Sequence, residues 1–405
     1  MLTSFGFIFL IGFFFAQISE KIGLPKIIGM LVAGILLGPC VFNVLDASIL
    51  SISADLRKFA LIIILIKAGL TLDLKDLKKV GLPAILLCFL PASFEILAAL
   101  FFGPILFGIS RLDAAIMGAV LGAVSPAVVV PRMIDLIEKG YGKDKSIPQM
   151  ILAGSSCDDI YVIVLFTTMV NVAKGENVNW LSILQIPTSV LLGILFGACF
   201  AYLLVYLLKR IQVENTVIVI LILDFSFLLV GIENYFEGLI SISSLLAILS
   251  MACFLKRKSK DALIKNLSNQ FGKLWLAAEI ILFVLVGAAV DIRYTLEAGP
   301  LALLLILISL VFRSLAVCLC TMKTNLNRKE RLFCIIAYLP KATVQAAIGS
   351  VPLAMGLSCG QLILSVSVLA ILITAPMGAI GIDQSYQKLL NNDRVNKKIK
   401  KDELL

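Results

Sequence analysis

Apolar stretches of roughly membrane-spanning length follow one another along the chain, separated by short connections that hold most of the charge. Marked in order they predict about thirteen helices, over residues 2–18, 26–38, 56–72, 80–107, 112–132, 147–172, 181–208, 216–232, 239–255, 272–290, 296–320, 332–351 and 362–380. The second is short and rich in glycine, and is expected to extend into its flanks. The opening stretch, MLTSFGFIFLIGFFFAQIS, has no basic residues before it and no convincing small-residue cleavage site, and another apolar run follows from Ile27. It is therefore expected to be a retained first span rather than a removed signal. The chain closes on KDELL, where Leu405 stands after the four-residue retrieval signal, so 386–405 is expected to be a basic, solvated cytoplasmic tail.

Two stretches interrupt the helical pattern in the same way. The fifth span contains GAVSPAVVVP, with Pro126 at mid-membrane depth, and the twelfth contains LPKATVQAAIG, with Pro340 beside Lys341. Proline inside a helix removes a hydrogen bond and disfavours helical geometry at the residue before it, so each stretch is expected to be a broken helix. The two lie an odd number of spans apart and so run in opposite directions, as inverted-topology repeats require. The fourth span then corresponds to the eleventh, and the sixth to the thirteenth.

Composition fits this pattern: 60% of residues are hydrophobic and only 15% charged, which describes an integral membrane protein with one polytopic domain. Basic residues crowd alternate connections, at Lys75, Lys78 and Lys79, at Arg132, Lys139, Lys143 and Lys145, and at Lys209 and Arg210. The same holds at Lys256, Arg257, Lys258 and Lys260, at Lys323, Arg328, Lys329 and Arg331, and in the tail from Lys388 to Lys401. The intervening connections hold few, such as Arg111, Lys174 and Arg293. The positive-inside rule then predicts the N-terminus outside and the C-terminus in the cytoplasm. The same bias accounts for the net charge of +9, so no nucleic-acid partner is expected, and the basic tail is expected to be drawn to the membrane surface. The nine cysteines form no C-x-x-C or metal-like spacing, and Cys88, Cys199 and Cys253 lie in apolar runs as small hydrophobes.

Against this background the ionisable groups inside spans stand out: Glu95, the adjacent Asp158 and Asp159, Asp224, Glu279 and Arg313. A charge at the bilayer centre costs about 2.5–3.5 kcal/mol on insertion scales, and usually has a partner or a cavity. Asp158 and Asp159 sit in GSSCDDIYVIVLF, with no Lys, Arg or His between Ser146 and Lys174. Neighbours on a helix point about 100° apart, so the two acids face different surroundings rather than forming one claw. Poor solvation and mutual repulsion favour proton uptake, and a carboxylate that takes either H+ or a small hard cation is a coupling device. The chain has no histidine, which leaves that work to acids. The alternative is that both acids only hold the bundle together through basic partners. Glu95 and Arg313 fall in spans matched by the repeat and are expected to form a buried structural ion pair. Lys341 is expected to neutralise the carbonyl end of a half-helix, or else to snorkel toward the cytoplasm, as Lys67 does at the end of its own span. Ser125, Ser155 and Ser156 are near the acids in sequence, and Ser125 is the favoured hydroxyl ligand for Na+ or Li+. Asp224 and Glu279 have no evident partner.

The motifs LIIILIKAGLTLDLKDLKK, AVSPAVVVP, GSSCDDI and LPKATVQAAIG, in order along nearly the whole chain from GLPKIIGMLVAGILLGP to the twelfth span, resemble the cation/proton antiporter superfamily. Within it they resemble the NHA-type Na+/H+ antiporters, the branch with an Asp-Asp pair. The resemblance implies an all-α polytopic membrane protein with two crossed discontinuous helices. It also implies a core ion-translocation bundle, including about 80–172 and 296–380, that moves against a dimerisation scaffold of about 1–55 and 181–255, in a homodimer. It makes Asp159 the carrier of cation or proton, with Asp158 beside it. Arg313 stands where many bacterial relatives have a lysine that pairs with the first acid. Were Arg313 engaged by Glu95 instead, Asp158 would be left free. The expected function is exchange of Na+ or Li+ for H+ at the plasma membrane, without a cofactor and without enzymatic chemistry. A K+/H+ or broader monovalent cation exchanger is the alternative. A passive cation channel would lack the coupling to protons. An intramembrane aspartyl protease also needs two buried acids, but its YD and GxGD motifs are absent.

Overall fold

The computed structural model describes residues 1–71, 81–173, 180–210, 214–236, 242 and 244–392. Lys75, Lys78, Lys79, Lys174 and the tail beyond Asn392 lie outside the described residues, as does the side chain of Ser156. Among the described residues the architecture is helical, with one isolated β-bridge between Tyr141 and Asn392. In hydrocarbon a segment must satisfy its own backbone groups, and the helix does so residue by residue.

The helices are α1 (Leu2–Lys21), α2 (Lys26–Leu37), α3 (Ala47–Ser51), α4 (Ser53–Thr71), α5 (Leu82–Leu87), α6 (Leu90–Phe107), α7 (Arg111–Gly122), α8 (Pro126–Lys139) and α9 (Ile147–Ala173). They continue with α10 (Trp180–Arg210), α11 (Asn215–Tyr235), α12 (Ser244–Lys258), α13 (Asp261–Ala288), α14 (Ile292–Thr321), α15 (Arg328–Ala337), α16 (Thr343–Ile348), α17 (Val351–Ala354) and α18 (Gly360–Leu389). Helix occupies part of every stretch predicted from the apolar pattern, and eight described segments are individually long and apolar enough to cross a membrane.

Packing sorts the helices into two groups. In one, α1 lies on α2, α2 and α4 on α13, and α12 on α4 and α10. Glycine lets α2 and α13 touch backbone to backbone, because a methyl on Gly34 would stand 2.0 Å from the Val284 carbonyl oxygen and one on Gly287 would stand 2.3 Å from that of Leu31. Such close approaches supply the van der Waals contact that holds helices together where no hydrophobic force separates protein from lipid. The other group gathers α6 with α7 and α14, α9 with α5, α7 and α8, and α18 with α14, α15 and α17.

Two stretches differ from the sequence pattern. The fourth span is two helices, α5 and α6, interrupted at Cys88 and Phe89, where Pro91 opens the second. The tenth begins well before residue 272, because 261–271 continues the helix with Ile264, Leu267 and Phe271 buried on one face. That segment is amphipathic rather than uniformly apolar, so a search for apolar runs passes over it.

Both expected breaks are present. Between α7 and α8 the chain is extended from Ala123 to Ser125, and Pro126 occupies the first turn of α8. Between α15 and α16 the break runs from Tyr338 to Ala342, around Pro340. The two breaks meet: the Ser125 N–H donates to the Pro340 carbonyl at 2.8 Å.

Candidate functional site: a buried charge cluster at two crossed helix breaks

A break frees backbone groups that have no water to turn to, and here side chains take them up. The Val124 N–H donates to Asp158 Oδ2 at 2.8 Å. Gln345 Nε2 donates to the Ala123 carbonyl at 2.8 Å. The last carbonyls of α7 receive cations, Gly122 from Arg313 Nη1 at 2.6 Å and Leu121 from Lys341 Nζ. Positive charge there also opposes the negative end of the helix dipole. At the second break, Arg313 Nε donates to the Tyr338 carbonyl at 2.5 Å, and the Lys341 N–H to Thr374 Oγ1 at 2.9 Å.

The same side chains form a network of ion pairs. Glu95 on α6 accepts from Lys341 Nζ at 2.7 and 2.6 Å and from Arg313 Nη1 at 2.7 Å. Arg313 on α14 reaches onward through Nη2 to Asp158 Oδ2 on α9 at 3.2 Å. Its guanidinium also lies 5.7 Å from the centre of the Tyr338 ring, a cation–π geometry. Glu95, Asp158, Arg313 and Lys341 are all fully buried. Two formal negative charges thus face two positive ones, and the group is neutral when all four are ionised.

Asp159 occupies the next position on α9 and is partly exposed, where Asp158 is fully buried. The helical offset between neighbours therefore gives the two acids different surroundings. Ser125, at the end of the first break, is buried, and its hydroxyl has no hydrogen-bond partner among the described residues. Ser155 donates to the Leu152 carbonyl of its own helix at 3.2 Å. Ser93 and Tyr161, 2.7 Å apart, tie α6 to α9.

One expectation needs correction. An Arg313 engaged by Glu95 does not leave Asp158 free, because the guanidinium presents several donors in a fixed fork and holds both acids. Lys341 does not snorkel; its ammonium is buried between Glu95 and the Leu121 carbonyl. Lys67 is in electrostatic reach of Glu279, across the contact of α4 with α13. Asp224 is exposed on α11. Gln345 and Tyr338 were not singled out by sequence reasoning, although Gln345 is a polar residue within LPKATVQAAIG and so was visible as an anomaly.

Crossed broken helices, with buried charges on their freed backbone groups and a partly exposed carboxylate alongside, define the class: an ion-coupled secondary transporter. Residues 6–383 match the family described as "Sodium/hydrogen exchanger, transmembrane", and the chain belongs to that family. It is 35% identical to mouse (Mus musculus) sodium/hydrogen exchanger 9B2 over 88% of this chain and 67% of that protein. It is 33% identical to human (Homo sapiens) sodium/hydrogen exchanger 9B1 over 93% of this chain and 75% of that one. The fold is similar to that of the sodium proton antiporter MjNhaP1 from Methanocaldococcus jannaschii, with a TM-score of 0.83 at 20% identity over 96% of this chain and 98% of that one.

Proposed function

We propose that the protein exchanges Na+ or Li+ for H+ across the plasma membrane by alternating access, with cation and proton competing for Asp159. The observation that carries this reading is the balance of the buried cluster. Glu95 and Asp158 already face Arg313 and Lys341, so a cation entering the membrane needs a further negative group. Asp159 is next to the cluster and partly exposed, and Ser125 brings a buried hydroxyl to the same break. Loaded with a cation or a proton the site is neutral and can cross; the bare carboxylate carries the full cost of a charge in hydrocarbon. That difference couples the two fluxes.

The two packing groups suit an elevator in which the α5–α9 and α14–α18 bundle slides against a scaffold of α1, α2, α4 and α10–α13. The exposed apolar residues of α1, among them Leu10, Phe13 and Phe14, offer the scaffold of a homodimer a surface. The N-terminus lies outside and the C-terminus in the cytoplasm, by the distribution of basic residues.

Proteoliposomes with an imposed pH gradient and a lumenal pH dye test the reading, with Na+, Li+ and K+ added in turn. Proton movement on Na+ or Li+ that is lost in Asp159→Asn supports it. A response to K+ alone would make the protein a K+/H+ exchanger, and full activity in the mutant would place the carrier elsewhere.

A further inference from the structure

Gln345 lies in α16 with its side chain fully buried. Its amide nitrogen donates to the Ala123 carbonyl at 2.8 Å and leans toward that of Leu121 at 3.4 Å. Both neighbours are carbonyl oxygens, which only accept, so the amide has a single sensible orientation with Nε2 toward the break. Oε1 therefore turns the other way, and it is buried with no hydrogen-bond partner among the described residues.

Two more oxygens at the same three-residue break share that condition. Among the described residues Ser125 Oγ has no partner, and neither has Asp158 Oδ1, while its twin Oδ2 takes the Val124 N–H. The groups that carry these three oxygens are thus anchored at consecutive positions of one break: the Gln345 amide on Ala123, the Asp158 carboxylate on Val124, and the hydroxyl of Ser125 itself. Buried polar atoms are nearly always satisfied, so three unsatisfied oxygens at consecutive anchor points ask for an occupant. Hard cations are bound by oxygen shells of this kind.

We propose that Gln345 Oε1 is a ligand of the transported cation and sets the protein's preference between Na+ and Li+. This rests on the exchange reading above and adds to it a ligand contributed by the second broken span. The physical reason for selectivity is the anchor at the other end of the amide. With Nε2 held on the Ala123 carbonyl, Oε1 cannot follow a smaller ion inward, and discrimination follows from cavity size and ligand rigidity.

The test compares wild type, Gln345→Leu and Gln345→Glu in proteoliposomes, measuring KM and kcat for Na+ and for Li+ separately. Gln345→Leu keeps a similar volume and removes the oxygen together with the Nε2 bond to Ala123. It is expected to raise the KM for Na+ by about tenfold or more, to lower kcat less, and to change the ratio of the Na+ and Li+ KM values. Gln345→Glu, which restores an acceptor, is expected to recover a Na+ KM at or below the wild-type value at alkaline pH. A loss confined to kcat, with both KM values and their ratio unchanged, would mean that Gln345 only staples the two breaks, and would overturn the proposal. A structure of wild type soaked in thallium(I), an electron-dense monovalent cation, does not depend on any variant folding. Density against Gln345 Oε1 supports the ligand role, and density confined to sites away from it overturns it. Wild type that responds to neither Na+ nor Li+ would bring down the exchange reading and this inference together, whereas an active wild type with an unaffected Gln345→Leu brings down only the inference.

Discussion

Glu95 receives both Lys341 and Arg313, whereas Asp158 receives Arg313 alone among the basic side chains. Removing one side of a buried pair leaves a charge that neither water nor lipid can take up, which costs about 3–5 kcal/mol. Glu95→Gln leaves Lys341 with no acid and Arg313 with Asp158 alone, whereas Asp158→Asn leaves both cations engaged with Glu95. Thermal unfolding in detergent is therefore expected to show a larger drop for Glu95→Gln than for Asp158→Asn; the reverse order would mean that Glu95 does not anchor the cluster. The pairing of Glu95 with Arg313 was legible in sequence, from opposite charges in spans matched by the repeat. The reach of Arg313 to Asp158 was not, because it depends on where α9 stands relative to α14, and spacing along the chain says nothing of that.

At the scale of elements, the approach of α9 to the second break is set by one glycine. A methyl on Gly154 would stand 2.0 Å from the Tyr338 hydroxyl, one helical turn from Asp158. Gly154→Ala is expected to destabilise the protein by about 1–3 kcal/mol, as overpacking does, and to reduce transport by pushing α9 from the break. Tyr338→Phe, added to it, removes the clashing oxygen and is expected to return part of the lost melting temperature. No recovery in the double variant would mean that the two residues do not meet. The breaks themselves were readable, since Pro126 and Pro340 disturb helical geometry wherever they fall. The interruption at Cys88 and Phe89 and the early start of α13 were not, because the first lies inside a continuous apolar run and the second in an amphipathic one.

For the whole molecule, the proposed competition at Asp159 fixes the sign of the expected pH response. Protons hold Asp159 in its neutral form as pH falls, so the apparent KM for Na+ is expected to rise toward acid pH, approaching about tenfold per pH unit once the protonated form dominates. Initial rates in proteoliposomes over a Na+ series at several pH values check this. A KM independent of pH, with only kcat changing, would separate the proton from the cation site. Asp159→Asn has no proton to exchange there and is expected to show no coupled flux at any pH, whereas Ser155, bonded within its own helix, is expected to tolerate Ala with wild-type coupling.

The sequence by itself determined that this is a helical membrane protein, where its apolar stretches lie, that the fifth and twelfth of them break, and which ionisable groups are too deep to be accidental. Each of these follows from local chemistry: a run of apolar residues belongs in lipid, a proline disrupts a helix, and a buried charge needs a reason. Only the tertiary structure decided that the two breaks cross at Ser125 and Pro340, that one guanidinium serves two acids, and that Lys341 of one broken span caps the helix end of the other. Those are contacts between residues far apart in the chain, and they depend on how whole helices lie against one another, which no local pattern encodes.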